Sequence, residues 1–168
     1  TQNPIEMEGT HPLPEAQLDR FMFNVVIDYL PQDEEVAVVM QTTAKAPEPI
    51  EAIFSGEDVL TFHEVVRKVP VSDHVIKYVT RLVGATRPVN EDVPEVTQKY
   101  VSTGAGPRAG QYLILAAKAT AILEGRIHVS CSDIRRAAPP VLRHRILTNF
   151  AADSEGLSAS DKIGRAHV

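Results

Sequence analysis

One stretch of this chain, residues 21–29, has the two-residue apolar period of a long β-strand, whereas the long apolar patterns after about residue 50 have the period of a helix. Phe21, Phe23, Val25, Ile27 and Tyr29 alternate, and Met22 and Val26 fill the opposite face. Residues 21–29 therefore predict a strand buried on both sides, as in the middle of a parallel sheet. Pro31 ends it. Before it, residues 14–19 predict a short helix, with Glu15 in the first turn where the helix dipole favours an anion. After it, Asp33, Glu34 and Glu35 begin a helix with Val36, Val39 and Met40 on one side. A lone strand leaves both edges unpaired and cannot close a sheet. This helix–strand–helix piece of an α/β layer needs strands that the 168 residues do not contain. The opening Thr-Gln-Asn-Pro fits that expectation, because it reads as the end of a strand entering a turn, a start inside a domain.

Residues 45–53 carry two prolines and read as a linker. Ser55-x-x-Asp58 is a capping-box signal, followed by Val59, Phe62, Val66 and Val69 at helical spacing. Ser72 is placed to cap the next helix, whose stripe is Val75, Ile76, Val79, Leu82 and Val83. Residues 86–106 read as the longest loop. Pro107 opens a third helix. Ala109, Tyr112, Leu113, Ala116, Ala119 and Leu123 lie on one face, and Ile114, Leu115 and Ala117 make much of the rest apolar, which places this helix centrally. Gly125 ends it. Residues 126–129 read as a short strand or turn, and Ser130-x-x-Asp133 as a second capping box. The last helix is expected to run to about Ala138, break at Pro139-Pro140 and resume over residues 141–149. Residues 163–168 have no helical pattern and read either as a non-biological tail or as a disordered terminus, set apart from the fold in both readings.

Several function classes are excluded by bulk properties. The formal net charge of −5 argues against a general polyanion binder. The single cysteine, Cys131, rules out an internal disulfide framework and fits a reducing compartment. It sits near a helix start, where a small neutral side chain is the plain reading. No apolar run approaches the length of a membrane span, about 18–20 residues. The cluster Arg135, Arg136, Arg143, His144 and Arg145 reads as solvated faces or partners of helix dipoles. The absence of interleaved aromatics argues against nucleic acid there. His63, His74, His128 and His144 show no ligand pairing at i, i+4, so no metal ligand is assigned.

The chemistry begins with an absence. A phosphate loop needs Gly-x-x-x-x-Gly-Lys-Ser/Thr, and no Gly-Lys pair occurs anywhere. Gly104-x-Gly106 lacks the preceding strand of a dinucleotide loop. Val25-Val26-Ile27-Asp28 imitates a strand ending in a metal-binding acid, but Tyr29 follows where a second acid is needed. Taken singly, Asn3 is a turn residue before Pro4, and Arg20 is a surface arginine. Arg108 differs: a cation in a first helical turn opposes the dipole, so it calls for an anionic partner.

Taken together these residues say more. Gln2-Asn3-Pro4, the run Gly9-Thr10-x-Pro12-Leu13-Pro14-Glu15-Ala16-Gln17-Leu18-Asp19-Arg20-Phe21, Gly104-Ala105-x-Pro107-Arg108-Ala109, and Ala138-Pro139-Pro140-Val141-Leu142-Arg143-His144-Arg145-Ile146 resemble the MoxR family of AAA+ ATPases over nearly the whole chain to about residue 160. His11, where an aromatic is usual, and Gly106, where serine is common, are departures. The resemblance implies an α/β remnant of a P-loop-type AAA+ core followed by an all-α lid bundle of about four helices, mainly helical overall. The expected divisions are residues 1–46 (end of the core), 47–55 (linker), 56–150 (lid) and 151–168 (tail). It implies that Asn3 is sensor one, orienting the attacking water, that Arg20 is an arginine finger acting in trans, and that Arg108 is sensor two. ATP and Mg2+ are the implied cofactors, with the phosphate loop and metal ligands upstream, so this piece alone is expected to be inactive. The implied setting is a cytoplasmic homo-oligomeric ring, a hexamer, that remodels or activates a client or a protein with a von Willebrand factor A domain. A magnesium-chelatase-type subunit shares the broad architecture, and a non-catalytic interaction module is the reading from a different class. The run ending at Phe21 favours MoxR.

Overall fold

The computed structural model describes residues 13–44 and 49–157. Asn3 and the tail beyond residue 157 lie outside them. The described chain is mainly helical and forms two compact units. One is residues 25–65; the other joins the residues up to Asn24 to those from Val66 onward.

The strand expected over residues 21–29, whose first four residues belong to the larger unit, is not formed. Phe21 and Met22 bend, and the following residues to Pro31 are irregular. No strand pairs with them among the described residues, and an extended segment without a partner gains no ladder hydrogen bonds. Ile27 and Tyr29 are accordingly 85% and 91% exposed. The Asp28 carboxylate accepts from the Tyr29 N–H at 2.8 Å, a local turn in place of a ladder. Helix α2 (Gln32–Ala44) follows, with its three acids in the first turn as expected. Helix α3 (Gly56–Lys68) opens with the predicted capping box: the Ser55 N–H donates to Asp58 Oδ2 at 2.7 Å, and the Asp58 N–H to Ser55 Oγ at 3.1 Å. Val36, Val39, Met40, Val59 and Phe62 remain exposed.

The larger unit carries the core. Helix α4 (Asp73–Gly84) buries Val75, Val79, Leu82 and Val83, while Ile76 of the same predicted stripe stays out. Ser72 stands at its N-cap, but its side chain makes no capping bond. The expected long loop is interrupted by α5 (Glu95–Tyr100) and β1 (Val101–Thr103). Helix α6 (Pro107–Leu123) is central, burying Ala109, Leu113, Ala116, Ala117 and Ala121 between α4 and helix α7 (Cys131–Leu142). Gly125 has φ +69°, and the Gly125 and Arg126 N–H groups donate to Ile122 O and Ala121 O, the Schellman arrangement that closes α6. The turn falls at residues 124–125, and the expected strand or turn at 126–129 is an irregular segment with a bend at 127–128. The Ser130–Asp133 capping box is present. Burial raises the Asp133 carboxyl, but the Arg126 fork and the Ser130 donors outweigh it and bring it down to about 2.

The break predicted at Pro139-Pro140 does not occur; α7 runs through both prolines to Leu142. The carbonyls that lose a donor are those of Arg135 and Arg136, four residues earlier. Both residues are exposed, so water can take those bonds. Residues 141–149 do not resume a helix. A turn leads to β2 (Leu147–Thr148), antiparallel to β1, and Asn149 caps α8 (Phe150–Ser154) by accepting from the Ala152 N–H.

The approach to α6 depends on one glycine. A Cβ on Gly104 would lie 2.3 Å from the Thr86 carbonyl oxygen and 2.7 Å from Arg87 Cα. Thr86 Oγ1 donates to Val83 O and accepts from the Ala105 N–H, and Arg87 Nε donates to Ala105 O at 2.9 Å. This mesh ties the loop before α6 to the end of α4. Gly104→Ala should therefore cost about 3 kcal/mol, the upper end for overpacking. Gly106→Ala, with nothing within 4 Å, should change little. Urea denaturation of the two variants checks the contrast.

Candidate functional site

Helix α1 (Glu15–Leu18) delivers Asp19 and Arg20 at its end, and the Arg20 and Phe21 N–H groups close the turn on Gln17 O and Leu18 O. Residues 19–24 then cross the C-terminal end of α7. Arg145 fixes them there. Its side chain is 1% exposed, and every guanidinium N–H is used. Nε donates to Asp19 Oδ1 at 2.9 Å; Nη2 donates to Asp19 O at 2.8 Å and Phe21 O at 2.6 Å; Nη1 donates to Met22 O at 3.3 Å and to Val141 O. The guanidinium also lies over the Tyr112 ring, 5.1 Å from its centroid. Around it, Tyr112 donates its hydroxyl to Arg20 O at 3.0 Å, Arg143 Nη1 donates to Asn24 O at 3.0 Å, and the Asn24 N–H donates to Pro140 O at 2.8 Å. The basic run read as a solvated face is thus largely a docking device for another segment's carbonyls.

The predicted arginines meet at this dock. Arg108, in the first turn of α6, pairs with Asp19 Oδ2. The anionic partner that its position in the helix dipole called for is, within this chain, the residue preceding Arg20. Burial raises the Asp19 carboxyl, but bonds from Arg108 and Arg145 more than offset this and hold it below its ordinary value. Arg20 is exposed, and its guanidinium has no partner among the described residues. Its peptide is held on both sides while its charge is left to solvent. No group of three His, Cys, Asp or Glu side chains able to hold a metal lies together among the described residues. No helix there is long and apolar enough to cross a membrane.

His144 completes the dock. Its Nε2 lies 2.9 Å from Phe21 O, and because a carbonyl only accepts, Nε2 carries the proton. Nδ1 is buried without a partner. Burial lowers the imidazole below its ordinary 6.5, the Phe21 carbonyl opposes this, and the Arg145 charge adds to it. The folded state thus binds this proton less readily than the unfolded chain. The stability it confers is complete above about pH 6.5 and is lost as pH falls through the interval down to the folded value. The thermal midpoint should decline on the acid side of 6.5, and His144→Gln should remove that part of the slope.

Asp19, Tyr112, His144 and Arg145 were not singled out by sequence as one constellation. The usable signal was a carboxylate within a cation-bearing motif and three consecutive basic residues just past a helix end.

Comparisons with known proteins now define the class. The profile of the AAA lid domain matches residues 93–165, and that of the ATPase family associated with various cellular activities matches residues 1–23. These are parts of an AAA-type ATPase. The chain is 36% identical to Chaperone MoxR1 of Mycobacterium tuberculosis, with 98% of this chain aligned to 44% of that protein. It is also 36% identical to the uncharacterized protein YeaC of Bacillus subtilis, with 95% aligned to 47%. A crystal structure of a protein assigned as an ATPase, from Cytophaga hutchinsonii, matches with a TM-score of 0.88 and 38% identity, covering 100% of this chain and 52% of that one. The chain belongs to the MoxR family of AAA+ ATPases, and it spans about half the length of the curated relatives it matches.

Proposed function

We propose that this chain contributes the arginine-bearing half of an ATP-hydrolysing ring subunit that remodels or activates client proteins in the cytoplasm. Residues 1–46 belong to the end of the ATPase core, 47–55 to a linker and 56–150 to the lid. The observation that carries the proposal is Arg20: an exposed guanidinium, unpaired among the described residues, on a peptide held by Tyr112 and Arg145. None of the described residues takes that charge, so it is free to meet a ligand or a neighbouring subunit. Its planar fork and permanent charge suit phosphate oxygens. In this reading Arg20 reaches the nucleotide of the adjacent subunit, Arg108 steadies the phosphates of its own, and Asn3 orients the attacking water. Arg108 fits because its half-exposed guanidinium leaves N–H groups beyond the one given to Asp19. Bound ATP and Mg2+ would supply the transferable phosphoryl group and neutralise its charge; the chain's part is positioning and charge stabilisation. The ring is a hexamer, and the client class includes proteins with a von Willebrand factor A domain.

The test uses subunit mixing. In a chain extended upstream through a phosphate loop, Arg20→Ala subunits and subunits lacking the phosphate loop are each inactive. Mixed rings should regain part of the hydrolysis, because the two defects lie on opposite faces of one interface. No recovery from mixed, assembled rings would sink the trans assignment. The 168-residue chain alone should not bind ATP with micromolar affinity in calorimetry.

A further inference from the structure

Among the described residues, Asp19 is the carboxylate that pairs both with Arg108, in the first turn of α6, and with the buried Arg145. Its two oxygens are divided, Oδ1 to Arg145 and Oδ2 to Arg108, and its own carbonyl takes a further bond from Arg145. The next peptide along is that of Arg20, whose carbonyl accepts from Tyr112, itself packed against the Arg145 guanidinium. Arg108 therefore has one edge tied to Asp19, and the Arg20 peptide follows a residue whose carboxylate and carbonyl are both held by Arg145. We propose that Asp19 is a positioning residue for both arginines, so that the cation serving a subunit's own nucleotide and the cation offered to its neighbour are set by one carboxylate. This rests on the ATPase reading above and adds to it a residue that touches no phosphate in that scheme.

The geometry separates this role from a plain surface ion pair. A pair between two freely exposed side chains contributes little, because each must be ordered from a mobile state. Here Arg145 is already immobile, so the carboxylate it holds is a fixed acceptor. Arg108 is the mobile member, and bonding to a fixed acceptor narrows where its guanidinium can sit. On the other side, the carboxylate adds a side-chain bond to the backbone bonds by which Arg145 grips residues 19–22. Asp19→Asn keeps the shape and removes the charge, weakening both ties at once.

The experiment uses assembled rings of the upstream-extended protein. Arg20→Ala and Arg108→Ala serve as controls: if both hydrolyse ATP at wild-type rates, the ATPase reading itself has failed. If both are impaired, Asp19→Asn should raise KM for ATP and lower kcat, each by about ten-fold, the scale of one charge-assisted hydrogen bond. On an Arg108→Ala background, Asp19→Asn should add nothing to KM while still lowering kcat. Wild-type KM and kcat in Asp19→Asn, or KM effects that simply add, would overturn the proposal and leave the ATPase reading standing. A variant that fails to assemble does not end the test, since the tie can be cut from the other side. Arg108→Gln subunits that also lack a phosphate loop act only as finger donors. Their partners' turnover should fall about two- to five-fold, as expected for a partly exposed pair. Unchanged turnover in those partners would also overturn it.

Discussion

Replacing Arg145 by methionine should release residues 19–24 while leaving the α4–α6–α7 core folded. The arginine is surrounded by acceptors: a carboxylate and the carbonyls of Asp19, Phe21, Met22 and Val141. Methionine supplies similar apolar bulk and no donor. Asp19 keeps its bond from Arg108, so the loss falls on the carbonyls left without a donor, each costing about 1–3 kcal/mol while it stays buried. The crossing segment has an escape that the core lacks, since its carbonyls recover hydrogen bonds to water by lifting off. The loss should therefore appear first as local opening. The Asn24 amide, bonded to Pro140 O at 2.8 Å, should exchange at close to the unfolded rate, while amides at Leu113 and Ile134, both fully buried, stay protected. Hydrogen exchange resolved by residue measures both, and a protected Asn24 amide in the variant would refute this account of the dock.

Arg20→Ala should do the opposite. Its guanidinium is exposed and has no hydrogen bond or ion pair among the described residues, so folding stability should change by less than about 0.5 kcal/mol. If Arg20 is the finger proposed above, the same change in an assembled, upstream-extended ring should lower ATP turnover by about 10³–10⁵. The pairing of an unmoved melting curve with abolished turnover is the informative result. A stabilising role would lower the midpoint and spare the rate. Steady-state hydrolysis alongside thermal denaturation gives both readings on one preparation.

The helices of the core were legible because burial imposes a period. Val75, Val79 and Leu82, and likewise Ala109, Leu113 and Ala116, recur at helical spacing and are buried. The residues that would face a sheet were legible as a pattern but not as a structure, because a strand is defined by its neighbour and none is paired with residues 21–29 among those described. The double proline misled for a different reason. Its cost depends on where the deprived carbonyls point, and here they belong to exposed arginines. Arg20 and Arg108 could be picked out because each stands in a distinctive run. Arg145 could not, since all of its acceptors but Val141 O lie more than 120 positions away and pairings at that separation leave no periodic trace. A run of three basic residues looks like surface until the carbonyls that bury one of them are in view.

The seam at the end of α7 has a mechanical meaning. Pro140 gives its carbonyl to Asn24, and the guanidinium of Arg145 clamps the preceding turn, so the peptide bearing Arg20 is riveted to the helix that ends there. A swing of that helix is then also a swing of the outward-facing charge. In a closed ring, a lever of this kind would pass each subunit's rotation to the next without any loop having to refold.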